Sequence, residues 1–105
     1  MKKKPGKKKW TVYIVRCRNG ALYTGITNDL PKRIKTHNSG KGALYTKFFG
    51  PVRLVYQEPA RNVSFALKRE YAIKQWPRAA KLKLIKKRNM ALLKKRNILK
   101  AKHFK

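Results

Sequence analysis

Positive charge is the feature that most restricts what this chain can fold into. Its 105 residues include 30 Lys and Arg but only three acidic residues, Asp29, Glu58 and Glu70, so the formal net charge is +27. A compact chain with such an excess repels itself unless a polyanion neutralises it. Nucleic acid is the expected partner, because basic side chains that bind phosphates release condensed counterions. An anionic membrane surface or an acidic protein is the weaker alternative.

Length and cysteine content narrow the class of protein further. A chain of 105 residues is long enough for one domain but not for two. Cys17 is the single cysteine, so an intrachain disulfide is impossible and a secreted disulfide scaffold is excluded. The short apolar stretch after the basic N-terminus does not predict a secretory signal, and no apolar run has membrane-spanning length. We therefore expect a cytoplasmic protein that is nucleoid-associated when bound to DNA.

Segments rich in β-branched and aromatic residues predict the strands. Val12 to Val15 and Leu22 to Thr27 have this composition, and Asn19-Gly20 between them is a strong hairpin signal. Pro51 to Tyr56 alternates as a third strand, which we expect Pro59 to close. Together with the helical segments that follow, these strands predict the α+β class: a small three-stranded antiparallel sheet flanked by helices.

Capping residues and prolines predict the helices. Asn28-Asp29 is typical of a helix start, and this helix should run to about Asn38. Asn62 or Ser64 is suited to cap a second helix, and Pro77 suits the first turn of a third.

The distribution of charge divides the chain into three parts. Residues 1–9 are Lys-rich and predict a disordered basic arm. Residues 10–87 are expected to form the folded domain. Residues 88–105 are expected to be a cationic amphipathic helical tail, because Ile85, Leu92 and Leu99 recur every seven residues on one helix stripe.

Several motifs occur in an order that is specific to one family. They are Tyr13-Ile14-Val15, Tyr23-Thr24-Gly25, residues 31–38, the Gly-rich residues 39–46, residues 51–56, residues 66–70 and Ile73-Lys74. Taken together they resemble the GIY-YIG nucleases, in particular the small stand-alone bacterial branch of the UPF0213 type. The resemblance covers about residues 10–85 and implies a GIY-YIG domain.

The resemblance implies a metal-dependent endonuclease site and a role for each of its residues. Tyr13 would help to deprotonate water, and Tyr23 would position that water or the phosphate. Arg33 would clamp the scissile phosphate, and His37, which lies four residues on and hence on the same helix face, would accept or relay a proton. Glu70 would bind one divalent cation, Mg²⁺ or Mn²⁺, which neutralises the leaving 3′ oxygen. The residues expected to contact the nucleic acid are Lys32, Lys41, Tyr45, Arg69 and Lys74.

The hairpin register decides whether the two tyrosines can act together. Side chains alternate across a sheet, so a two-residue turn would place Tyr13 and Tyr23 on opposite faces. A three-residue loop of residues 18–20, with Gly20 in a left-handed bulge, sets Tyr13 opposite Gly25 and places both tyrosines on one face. We predict this loop. A phenol titrates near pH 10 and is a poor base unless cations favour the phenolate, and this chain is rich in cations.

Two functions of different classes remain open at this point. The first is a metal-dependent endonuclease that acts on single-stranded or structured DNA, with RNA as an alternative substrate. The second is a non-catalytic basic nucleic-acid-binding protein on the same fold. An electrostatic binder has no need for two tyrosines, an arginine, a histidine and a glutamate in family order, so the motif set favours the nuclease. Membrane binding by the C-terminal helix ranks below both, because its apolar stripe is thin.

Overall fold

The computed structural model describes residues 9–39 and 51–103, with side chains as far as residue 95. Within these ranges three strands and three helices follow one another: β1 Trp10–Arg16, β2 Leu22–Thr27, α1 Leu30–Asn38, β3 Arg53–Ala60, α2 Val63–Gln75 and α3 Arg78–His103. The strands form one antiparallel sheet in the order β2-β1-β3. The predicted α+β class and three-stranded sheet are confirmed. Residues 1–8 of the predicted basic arm, which spans residues 1–9, lie outside the described residues.

The hairpin between β1 and β2 has the predicted three-residue loop. Tyr13 lies opposite Gly25 and Val15 opposite Tyr23. The Cys17 amide donates to the Ala21 carbonyl oxygen at 2.8 Å, which leaves residues 18–20 as the loop. Gly20 has a φ of +89°, a left-handed conformation that a side chain disfavours. The register puts both tyrosines on one face of the sheet.

The face that carries Tyr13 is packed into a core with α1. Tyr13, Val15 and Cys17 are buried there with Val52, and Ile34 of α1 is among the partly buried residues against them. Asp29 caps α1, accepting a hydrogen bond from the Lys32 amide at 3.3 Å. This cap fixes where the helix begins, and therefore which side chains of α1 lie over the sheet.

The third strand is longer than the sequence predicts. We expected Pro59 to close it, but β3 continues to Ala60, and Pro59 lies inside it opposite Thr11. Because β3 is an edge strand, a residue without an amide hydrogen is tolerated where that edge has no partner. The β1–β3 register also shifts between Ile14 and Val15, where β3 contributes an extra residue.

Helix α2 begins at the predicted cap and contacts the sheet. The Asn62 side chain accepts a hydrogen bond from the Phe65 amide at 2.9 Å. The helix contacts β1 and β2, and its buried residues are Ala66 and Ile73. It therefore holds Glu70, which lies between those two residues in sequence, at a fixed distance from the sheet.

Residues 76–105 group as a compact unit of their own, separate from residues 1–75. The unit contains one continuous helix, α3, where the sequence predicted a helix that begins near Pro77 and a helical tail over residues 88–105. On the predicted stripe, Ile85 is buried but Leu92 is 48% exposed. None of the described helices is long and apolar enough to cross a membrane.

Candidate active site

Tyr13 is the centre of a hydrogen-bonded cluster that links β1 to α1. Its ring is fully buried, and its hydroxyl lies 2.9 Å from Nε2 of His37. Nε of Arg33 donates to the same hydroxyl oxygen at 3.3 Å. Arg33 and His37 therefore meet one phenol from successive turns of α1, as their four-residue spacing predicted. The structure brings three of the predicted site residues into direct contact.

Gly25 makes room for this phenol. A Cβ atom at position 25 would lie 2.5 Å from the Tyr13 hydroxyl oxygen and 2.7 Å from the ring carbon that bears it. Separations this short do not occur between real atoms, so only glycine lets the ring cross β2 at this point. The motif glycine thus has a steric role that we did not derive from the sequence. The predicted pairing of Tyr13 with Gly25 was the signal that could have revealed it.

Tyr23 joins the cluster through the histidine ring. The Tyr23 and His37 rings lie edge to face, with their centroids 5.4 Å apart, while the Tyr13 and His37 centroids are 5.9 Å apart. Both tyrosines therefore approach one imidazole from the same face of the sheet. Tyr23 is half-buried, so it is the phenol of the pair that solvent can reach.

Burial controls the ionisation of the cluster. It raises the pKa of Tyr13, even though the hydrogen bond and the charge of Arg33 act to lower it. The expected effect of cations on this phenol is present but is outweighed, so Tyr13 is a neutral phenol at neutral pH. Burial also lowers the pKa of His37, with a further contribution from the Arg33 charge. A neutral imidazole can accept the Tyr13 proton at Nε2 while the Tyr13 oxygen accepts from Arg33.

Arg33 interacts with both phenols. The hydrogen bond to Tyr13 is the largest influence that raises its pKa, and an interaction with Tyr23 adds to it. The guanidinium is therefore a permanent cation. It also lines, with Lys32 and Asp29, a cavity of about 210 Å³ at the start of α1. Lys32 itself is exposed, as a phosphate-contacting side chain requires.

Glu70 is the carboxylate associated with this cluster. Its negative charge is the smallest of the influences on the pKa of Tyr13, which it raises. Its side chain is 20% exposed and pairs with Nζ of Lys74 at 3.4 Å. The described residues contain no group of three or more His, Cys, Asp or Glu that could enclose a metal ion. A cation at Glu70 would therefore take most of its ligands from water or phosphate, which suits Mg²⁺.

The remaining predicted contact residues lie in different surroundings. Arg69 forms a two-pronged ion pair with Glu58, at 2.8 Å from Nε and 3.1 Å from Nη2, and Tyr56 donates to the same carboxylate. Lys74 forms an ion pair with Glu70. Their contacts with nucleic acid stay predictions. Lys41 and Tyr45 lie outside the described residues.

Comparison with known proteins identifies the family. Residues 9–89 match the model of the GIY-YIG catalytic domain. The chain belongs to the GIY-YIG family. This domain is characteristic of nuclease-type enzymes that act on nucleic acid, and members of the family generally use divalent metal ions.

Several proteins of known sequence or structure are similar to this GIY-YIG chain. The UPF0213 protein SSP2268 of Staphylococcus saprophyticus is 58% identical over 74 residues, which are 70% of this chain and 90% of that protein. The UPF0213 protein SAV0488 of Staphylococcus aureus is 56% identical over 77 residues, which are 73% of this chain and 94% of that protein. The solution NMR structure of the UPF0213 protein BH0048 from Bacillus halodurans is 42% identical, covers 74% of this chain and 83% of that chain, and has a TM-score of 0.49.

Proposed function

We propose that this protein is a divalent-metal-dependent endonuclease that hydrolyses phosphodiester bonds of DNA, either single-stranded or structured. The observation that carries the proposal is the Tyr13 hydroxyl, which contacts both His37 and Arg33 and whose pKa the charge of Glu70 helps to raise. A proton acceptor, a fixed cation and a carboxylate around one phenol are the groups that phosphodiester hydrolysis uses.

Proton transfer from the attacking water is the first step that these residues support. Tyr13 passes its proton to Nε2 of the neutral His37 as it takes one from water, so the phenol is regenerated and the histidine becomes the cation; this step requires water to reach a hydroxyl that is buried in the free protein. Arg33 donates to the phenol oxygen throughout and stabilises the negative charge that passes through it. A positioned general base of this kind contributes about 100-fold to 10,000-fold in rate. Tyr23, which solvent reaches, holds the water or the phosphate in place.

Charge on the phosphate is the second requirement. Arg33 and Lys32 line one cavity at the start of α1, and both are cations that bind phosphate oxygens. A divalent cation held by Glu70 supplies, when bound, neutralisation of the leaving 3′ oxygen. The ion pair with Lys74 offsets the charge of Glu70, which lowers the desolvation free energy of a carboxylate at this half-buried position.

A non-catalytic basic nucleic-acid-binding protein on the same fold is the second candidate. The fully buried ring of Tyr13 and its raised pKa favour it, because a purely structural tyrosine, histidine and arginine network has the same properties. The net charge of +27 suits both functions. Cleavage therefore has to be measured separately from binding.

Removing the carboxylate tests the proposal. Wild type, Glu70→Gln and the matched control Glu58→Gln are compared on labelled single-stranded, duplex and branched DNA, each with Mg²⁺, Mn²⁺ or EDTA. Both variants remove one negative charge, and circular dichroism establishes that both fold. We expect wild type and Glu58→Gln to cleave with metal, and Glu70→Gln to bind DNA without cleaving it. Equal cleavage by all three proteins, or cleavage in EDTA, contradicts a metal held by Glu70.

A further inference from the structure

Three arginines meet at the end of the sheet where the hairpin loop lies. Arg16 of β1 and Arg53 of β3 are direct partners in the strand register, and Arg18 lies in the loop. All three line one cavity of about 480 Å³, together with Cys17, Asn19, Gly20, Pro51 and Val52. We did not single these arginines out in the sequence, because the pairing of Arg16 with Arg53 depends on strands 37 residues apart.

The cluster has an electrostatic cost that nothing in the described structure offsets. Like charges directly opposite each other in a sheet are destabilising. The chain has three acidic side chains, and in the described residues each has another role: Glu58 binds Arg69, Glu70 binds Lys74, and Asp29 caps α1. Within the described part of the chain, the three guanidinium groups have no hydrogen-bond or ion-pair partner.

We infer that Arg16, Arg18 and Arg53 form a second phosphate-binding site, which holds a backbone phosphate of the nucleic acid. This inference uses the substrate class of the proposed function but not its chemistry. Guanidinium groups present paired donors that match the oxygens of a phosphate, and a bound phosphate removes the repulsion between Arg16 and Arg53. The residues around the cavity that the structure describes include no aromatic ring on which a base could stack. The three guanidinium groups therefore suit the phosphate backbone of a nucleic acid.

The position of the cluster suits a contact away from the cleavage point. Arg16 is three residues from Tyr13 on β1, and because side chains alternate across a sheet, the two side chains point to opposite faces. The phosphate that the cluster holds is therefore a different one from the scissile phosphate beside Tyr13. Such a contact fixes position and carries no base sequence information.

Binding measured without cleavage tests the inference. The double variant Arg16→Gln/Arg53→Gln is compared with Lys35→Gln/Lys68→Gln, which removes two exposed cations from the helices. Fluorescence anisotropy gives the affinity for labelled DNA in EDTA at several salt concentrations, and circular dichroism gives the melting temperature. We expect the arginine variant to bind about tenfold or more weakly, with a slope of log affinity against log salt that is smaller by about one, and its melting temperature to stay level or rise. The lysine control should lose much less affinity.

A conservative variant and a set of competitors complete the experiment. Arg16→Lys/Arg53→Lys keeps both charges but lacks the planar fork, so we expect an affinity between wild type and the glutamine variant. Equal losses in the arginine and lysine pairs overturn the inference, as does a lowered melting temperature in the arginine variant. Inorganic phosphate, a mononucleotide and an oligonucleotide are each tested as competitors of labelled DNA. If inorganic phosphate or the mononucleotide competes as well as the oligonucleotide, the assignment to a nucleic-acid backbone is overturned. If the wild-type protein binds DNA but does not cleave it, the proposed nuclease function is refuted, whereas the inferred phosphate-binding site is not.

Discussion

Replacing Gly25 with alanine tests whether close packing between β1 and β2 organises the site. The added Cβ would lie 2.5 Å from the Tyr13 hydroxyl oxygen and 2.7 Å from the adjoining ring carbon, so the ring must move by about 1 Å to restore van der Waals contact. That displacement disrupts hydrogen bonds of 2.9 Å to His37 and 3.3 Å to Arg33. Overpacking of this kind costs about 1–3 kcal/mol of unfolding free energy, and a 1 Å misplacement lowers a catalysed rate by about 100-fold.

A double-mutant cycle separates this clash from a general effect of alanine in a strand. Unfolding free energies are measured by urea denaturation for Gly25→Ala, Tyr13→Ala and the double variant, and cleavage of labelled DNA is measured for Gly25→Ala. Without the Tyr13 ring, the Cβ atom that Gly25→Ala adds has no side chain to clash with. In the Tyr13→Ala background, Gly25→Ala should therefore lower the unfolding free energy by less than about 0.5 kcal/mol. The same cost in both backgrounds, or full cleavage by Gly25→Ala, would refute the steric argument.

Three further predictions concern pH, packing and the basic tails. The fold lowers the pKa of His37, so on acidification this histidine is protonated in the unfolded chain before it is protonated in the folded one. Its contribution to the unfolding free energy is therefore fully present above about pH 6.5 and is lost as the pH falls. In urea denaturation between about pH 8 and pH 5, the unfolding free energy of His37→Gln should depend less on pH than that of wild type. The Thr24 hydroxyl is buried with no hydrogen-bond partner among the described residues, so Thr24→Val should raise the unfolding free energy by about 1 kcal/mol; a decrease would indicate a partner. Deleting residues 1–9 and 88–105 should reduce the slope of log affinity against log salt by about 0.9 for each phosphate that the tails neutralise, while cleavage survives at low salt; a folded protein that no longer cleaves would give the tails a direct role.

The parts of the fold that obey local rules were predictable from the sequence. A glycine at position 20 selected the three-residue loop, and that loop fixed the register that puts Tyr13 and Tyr23 on one face. Asp29 set the start of α1, and with it the positions of Arg33 and His37. Each of these relations spans a few residues, so it depends on backbone geometry and not on how distant segments pack.

The parts that depend on distant segments were not predictable in the same way. The β1–β3 register brings Arg16 beside Arg53 and carries β3 past Pro59, and no local signal specifies either result. The ionisation of Tyr13 also differs from the expectation, because burial outweighs the nearby cation. Burial of one side chain results from the whole core, whereas a count of cations is visible in the sequence.

The hydroxyl of Tyr13 is the atom that the proposed chemistry cannot do without, and Tyr13→Phe removes it while keeping the ring that fills the core. The decisive measurement is the single-turnover rate of DNA cleavage in Mg²⁺, with DNA affinity and circular dichroism recorded on the same preparations. We predict a rate at least about 100-fold lower, with unchanged affinity and fold. A wild-type rate from Tyr13→Phe would contradict the account, because His37 and Arg33 would then act without the phenol that joins them.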